Sequence, residues 1–131
     1  MDNGAISGHI RKALGNLESA RVLFDNRMFD NAVSASYYSV FHAASALLAS
    51  KGMEFSNHKT MISKYNEIFI RPGLIGGVSF RALTALFKLR LDYEYDPILF
   101  IGEDGAKEAL RMAFAAVQDI KEYCGANNMV F

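Results

Sequence analysis

The stretch NAVSASYYSVFHAASALLASKG, residues 31–52, limits this chain more than any other part of it, because its apolar side chains recur at helical spacing. Val33, Tyr37, Val40, Phe41, Ala44, Leu47 and Leu48 stand three or four residues apart and so share one broad helix face, which must be buried as a unit. The neighbouring face, Ala35, Ser39, Ala43, Ala46 and Ser50, is built of small residues that let a second backbone come close. A segment with both faces is either the central helix of a bundle or a seam between two copies of the chain. Gly52 supplies its C-terminal stop.

The same period runs on both sides of this segment. Ile10, Ala13, Leu14, Leu17, Ala20 and Phe24 mark a first helix over roughly 6–26, with Asp30 as a candidate N-cap for the second. Ser56 or Asn57 can cap a third helix, whose stripe runs His58, Met61, Ile62, Tyr65, Ile68 and Phe69 and ends at the turn RPGLIGG. A fourth helix, about 78–92, presents Phe80, Leu83, Leu86 and Phe87 before breaking into DYEYDP. Glu103 and Asp104 favour the start of a fifth helix through its dipole, and its stripe from Ala106 through Ala109, Leu110, Ala113, Phe114 and Val117 to Ile120 reaches Cys124 and Gly125. The tail ANNMVF is expected to be loosely held. Pro72 and Pro97, the two prolines, both fall in connections. The expected architecture is all-α, an antiparallel four- to five-helix up-and-down bundle. With 131 residues, 51% of them hydrophobic, the chain is expected to form one domain over 1–131 with its core at about 6–124.

Charge narrows the function classes. Fourteen basic and fourteen acidic residues cancel, so no global field holds nucleic acid or an anionic membrane, and any nucleic-acid partner must be bound by a local patch. One cysteine, Cys124, cannot build an internal disulfide framework, and neither a CxxC pair nor an HExxH motif points to a metal. No apolar run is long enough for a membrane span, and the N-terminal residues do not read as a signal peptide, so a cytoplasmic location is expected. Glycine-loop and GxSxG motifs are absent, and no cofactor is implied.

Arg90 is the residue that asks for an explanation. It follows Leu86 by four and Phe87 by three, which continues the apolar stripe with a charge. A guanidinium buried alone costs several kcal/mol, so it must be paired or must open onto solvent, a partner or a ligand. One reading is an internal ion pair with Asp92, Glu94 or Asp96. The other is contact with an anion, since the arginine fork suits phosphate oxygens. Tyr93 and Tyr95 bracket Glu94 and suit packing, base stacking or modification. His42, four residues after Tyr38, and His58, at the start of the third helix, are either hydrogen-bonded structural histidines or groups that move protons near neutrality. His9 receives no functional reading from its position.

Two segments, ASYYSVFHAASALLASKGMEFSNHKTMISKY and LFKLRLDYEYDP, resemble the HEPN superfamily (higher eukaryotes and prokaryotes nucleotide-binding), in its small single-domain prokaryotic branch. The matching positions are Tyr37, Tyr38, Phe41, His42, Gly52, His58, Arg90, Glu94, Tyr95 and Asp96, and the resemblance covers about residues 9–122. It implies a helical bundle that forms a homodimer and, in many members, a metal-independent ribonuclease that is the toxin of a pair with a small nucleotidyltransferase as antitoxin. The family's catalytic signature is an arginine, four to six residues, then a histidine. Here those positions hold Tyr95, Asp96 and Pro97, so the histidine is missing. If RNA is cleaved, the resemblance points to Arg90 at the phosphate, His42 or His58 in proton transfer and Tyr95 in positioning. Tyr38, Tyr93, Glu94 and Asp96 would then serve binding or modification. The alternative it allows is an inactive interaction or nucleotide-binding module that docks with the nucleotidyltransferase.

Overall fold

The computed structural model describes residues 3–131 and shows an all-α bundle of five helices, with no strand among the described residues. They are α1 (Asn3–Asp25), α2 (Phe29–Ala49), α3 (His58–Tyr65), α4 (Val78–Tyr95) and α5 (Glu103–Ala126), with a π turn over Asn66–Ile70 continuing α3. The π turn keeps Tyr65 and Phe69 both buried.

α2 is the centre of the bundle. It packs against α1, α4 and α5, and nearly all of it from Ala32 to Ala49 is buried. The small-residue face decides between the two sequence readings: Ala35, Ser39, Ala43 and Ala46 are buried within this one chain, so that face seats neighbouring helices and is not available as a seam between copies. Tyr37, Val40, Leu47 and Leu48 fill the opposite side of the same core, at roughly 1.5–3 kcal/mol for each large apolar side chain removed from water. Ser39 meets its hydrogen-bonding need locally by donating to the Ser36 carbonyl at 2.7 Å.

Two helix ends set the geometry of the site. At the end of α2, Met53 N–H donates to the Leu48 carbonyl and Gly52 N–H to the Ala49 carbonyl, a Schellman closure with Gly52 at φ +77°. α1 ends the same way, with Met28 bonded to Leu23, Arg27 bonded to Phe24, and Arg27 in the left-handed region at φ 60°. That tight turn is why α2 starts at Phe29: Asp30 is not the N-cap but lies inside the first turn. Asn57 is the cap of α3, its side chain accepting from Thr60 N–H at 2.9 Å.

Other expectations shift in phase. Leu14 and Phe114 belong to the expected stripes of α1 and α5 yet are 43% and 45% exposed, because Ala13, Ala20, Ala113 and Ala116 take the contact positions and bring the helices too close for larger side chains. In the tail, Met129 N–H bonds to the Cys124 carbonyl, and Met129 and Phe131 pack against the core while Val130 stands exposed.

Candidate functional site

α4 does not break at Asp92. It continues helically to Tyr95, because Lys88 with Asp92 and Arg90 with Glu94 form ion pairs at helical i,i+4 spacing that stabilise the last turns. Asp96 ends it, accepting from Ile98 N–H at 2.9 Å in a local turn just before and after Pro97. Arg90 is therefore carried on the apolar face one turn beyond Leu86, with its side chain only 15% exposed. Its guanidinium lies 5.2 Å from the Tyr37 ring centre and 5.3 Å from that of Tyr38, and Nη1 donates to Glu94. Two aromatic faces and one carboxylate offset the desolvation of the charge. Nε is buried without a hydrogen-bond partner.

His58 sits beside this arginine. Its ring stacks on Phe41 at 4.5 Å and lies near Tyr37 and Phe87, and Nδ1 is 2.7 Å from the Tyr37 hydroxyl. Tyr37 is fully buried, and among the described residues His58 is the one group placed to take its phenolic proton. If His58 donated instead, the buried O–H would be orphaned, so Tyr37 donates to Nδ1 and the proton of neutral His58 is on Nε2. Burial pushes the Tyr37 phenol well above its ordinary range, which keeps it a donor. Burial, and then the Arg90 charge, lower the pKa of His58, which favours the neutral ring. His58 thus presents an N–H, not a lone pair.

His42 flanks the other neighbour of Arg90. Its ring is 6.4 Å from that of Tyr38, whose ring is also 5.9 Å from His58. Nδ1 of His42 lies 3.0 Å from Nδ1 of His9 on α1, and Nε2 of His9 lies 3.0 and 3.1 Å from the two carboxylate oxygens of Glu54. Burial first, then the charges of His9, Lys12 and His58, lower the pKa of His42 to about 4. Sequence reasoning missed His9 and Glu54. His9 does stand four residues before Ala13 on the α1 stripe, but nothing in the sequence pairs it with a side chain 33 positions away.

The structure gathers Arg90, Tyr38 and His58 around Tyr37, with Glu94 on Arg90 and His42 beyond Tyr38, and leaves the other candidates outside. Tyr93 reaches across to α2 and donates to Asp30 at 2.7 Å. Tyr95 is 81% exposed, and Asp96 serves the turn. Among the described residues no three His, Cys, Asp or Glu side chains are arranged to hold a metal ion, and no helix is long and apolar enough to cross a membrane.

Comparison with known proteins bears on this arrangement. The model of the HEPN domain family matches residues 6–123. A protein of Methanocaldococcus jannaschii named as a candidate toxin, MJ0605, is 33% identical over 90 residues, covering 69% of this chain and 67% of its own. A second candidate toxin of that organism, MJ0142, is 26% identical over 92% of this chain and 82% of its own. A UPF0332 protein of Thermotoga maritima is 29% identical over 79% of this chain and 78% of its own.

Proposed function

The chain belongs to the HEPN domain family, and from that premise we propose that it is the toxin-type component of a prokaryotic toxin-antitoxin or defence module, acting on RNA without a metal ion. The observation that carries this reading is the convergence of a mostly buried arginine, two tyrosines and two neutral imidazoles on one site. Arg90 supplies the charge for a phosphodiester, exchanging or sharing Glu94 as a phosphate oxygen arrives.

The two histidines divide the remaining work by tautomer. His58, protonated at Nε2, donates a hydrogen bond to phosphate and stabilises the charge that builds in the transition state. His42 accepts the proton of the attacking 2′-hydroxyl. It stands in for the histidine that the sequence lacks after Arg90. Tyr38, between Arg90 and His42, offers a ring face for a base. A homodimer would place two such sites near each other, and a small nucleotidyltransferase is the expected antitoxin.

A second reading is favoured by Tyr95. It stands exposed at the end of α4, one residue from the carboxylate that already neutralises Arg90. In that reading the protein is an inactive module that docks with the nucleotidyltransferase, with Tyr95 as the modified residue. Incubation of a mixed RNA with the folded protein in the presence of a chelator separates the two. Cleavage by wild type and its loss in Arg90→Ala and His42→Ala is the expected result. Absence of cleavage by the folded wild-type protein would overturn the ribonuclease reading and leave the docking module.

A further inference from the structure

His42 heads a line of three side chains from three parts of the fold. Glu54 lies in the connection after α2, where the left-handed turn at Gly52 sends the chain back toward α1. Both oxygens of its carboxylate approach Nε2 of His9, and Nδ1 of His9 meets Nδ1 of His42 at 3.0 Å. A carboxylate only accepts, so His9 is protonated at Nε2. With one proton on His9, its Nδ1 is a lone pair, and the bond between the rings must run from the Nδ1–H of His42. Nε2 of His42 is then an open lone pair, and among the described residues it has no hydrogen-bond partner.

The line has a second arrangement that differs only in where the protons are. A proton arriving at Nε2 of His42 lets the Nδ1 proton pass to Nδ1 of His9. The positive charge then rests on His9, against the half-exposed Glu54 carboxylate. This resolves a difficulty for His42 as a base. Lys12 and His9 from α1 and His58 from α3 all oppose a cation on its ring, as does burial, and Glu54 alone favours one. Moving the charge onto His9 sets it directly against the Glu54 carboxylate, at 3.0 Å.

We propose that Glu54, His9 and His42 form a proton relay, with Nε2 of His42 as its accepting end and His9 as the resting place of the charge. Applied to RNA it rests on the ribonuclease reading. The 2′-hydroxyl oxygen bonds to the adjacent phosphorus as its proton goes to Nε2 of His42, and the Nδ1 proton goes to His9. The bond from phosphorus to the 5′-oxygen breaks with its electron pair on that oxygen, which takes a proton from water. The hydroxide left behind recovers the proton from the relay, which returns to its starting state, and the products are a 2′,3′-cyclic phosphate and a 5′-hydroxyl. His9 and Glu54 act through His42 and are positioning residues.

The test is a long-range proton–nitrogen NMR spectrum of the histidine rings of the full chain, titrated downward from pH 8, beside chelator-treated RNA cleavage. At pH 8 the expected protons are on Nδ1 of His42 and Nε2 of His9. As the pH falls, the first proton added to the pair should make His9 doubly protonated and shift the His42 proton to Nε2. A His42 protonated at Nε2 at pH 8, or a His42 ring that becomes cationic before His9, would overturn the relay whatever the RNA assay gives. The expected spectra without any cleavage would sustain the relay and overturn the ribonuclease reading. In the cleavage assay His9→Asn keeps an acceptor for His42 but cannot take a proton, and Glu54→Gln removes the stabilising charge. Each is expected to lower kcat by at least about tenfold with KM unchanged, with Glu54→Asp recovering part of the loss. A His9→Asn protein with wild-type kcat and pH profile would refute the relay.

Discussion

Tyr37 joins the two halves of the site, since its ring carries Arg90 and its hydroxyl fixes His58. Tyr37→Phe keeps the ring and removes the donor, leaving Nδ1 of His58 without a partner. The expected cost is about 1 kcal/mol, read as a lower urea midpoint, with His58 free to change tautomer. His42 yields a pH prediction. The unfolded ring takes up its proton near pH 6.5 and the folded one near 4, so between those values the unfolded state binds more protons. The stabilisation is complete above about pH 6.5 and is lost as the pH falls toward 4, and the lowered His58 acts in the same direction. After discounting for partial exposure of the ring, the loss is about 2 kcal/mol. Urea midpoints at pH 7 and pH 4.5 should fall further in wild type than in His42→Gln; equal falls would remove His42 as the cause.

At the scale of elements, the site depends on two helix ends that contribute no chemistry. Asn57 fixes the first turn of α3 and so the place of His58, which is the next residue. Asn57→Ala should cost about 1 kcal/mol, and Asn57→Ser much less, because a serine hydroxyl can accept from the same N–H. A thermal melt of both proteins checks the order. Gly52 places Glu54 opposite His9. A Cβ there would meet nothing within 4 Å, so the cost of Gly52→Ala is that of the left-handed backbone alone, about 1–2 kcal/mol. Gly52→Asn should cost less than Gly52→Ala in the same melt, since asparagine tolerates that conformation.

In the molecule as a whole, the small-residue face of α2 is covered by its own chain, and this gives a direct test of its place. Ala43→Leu inserts a large side chain where the bundle is closest and should destabilise it by about 1–3 kcal/mol, read as a lower urea midpoint. An unchanged midpoint at equal protein concentration would remove that face from the packed interior. The helices themselves were legible because a 3.6-residue period of apolar side chains is a local property, as were a cap for α3 at Ser56 or Asn57 and the stop at Gly52. So was the oddity of Arg90, since a charge on an apolar stripe shows in a single helix. The continuation of α4 to Tyr95 was misread because i,i+4 charge pairs competed with the turn signals of DYEYDP, and Leu14 and Phe114 because alanines set the packing distance. The family resemblance supplied the group of residues, but not their arrangement. Sequence alone determined which side chains are helical, which face is buried and which charge is out of place. Only the tertiary structure decided that Arg90 chooses Glu94 and two tyrosine faces, that His58 is a donor, and that His9 and Glu54 stand behind His42. Those contacts join residues from different helices, and local periodicity carries no information about which helix a side chain will meet.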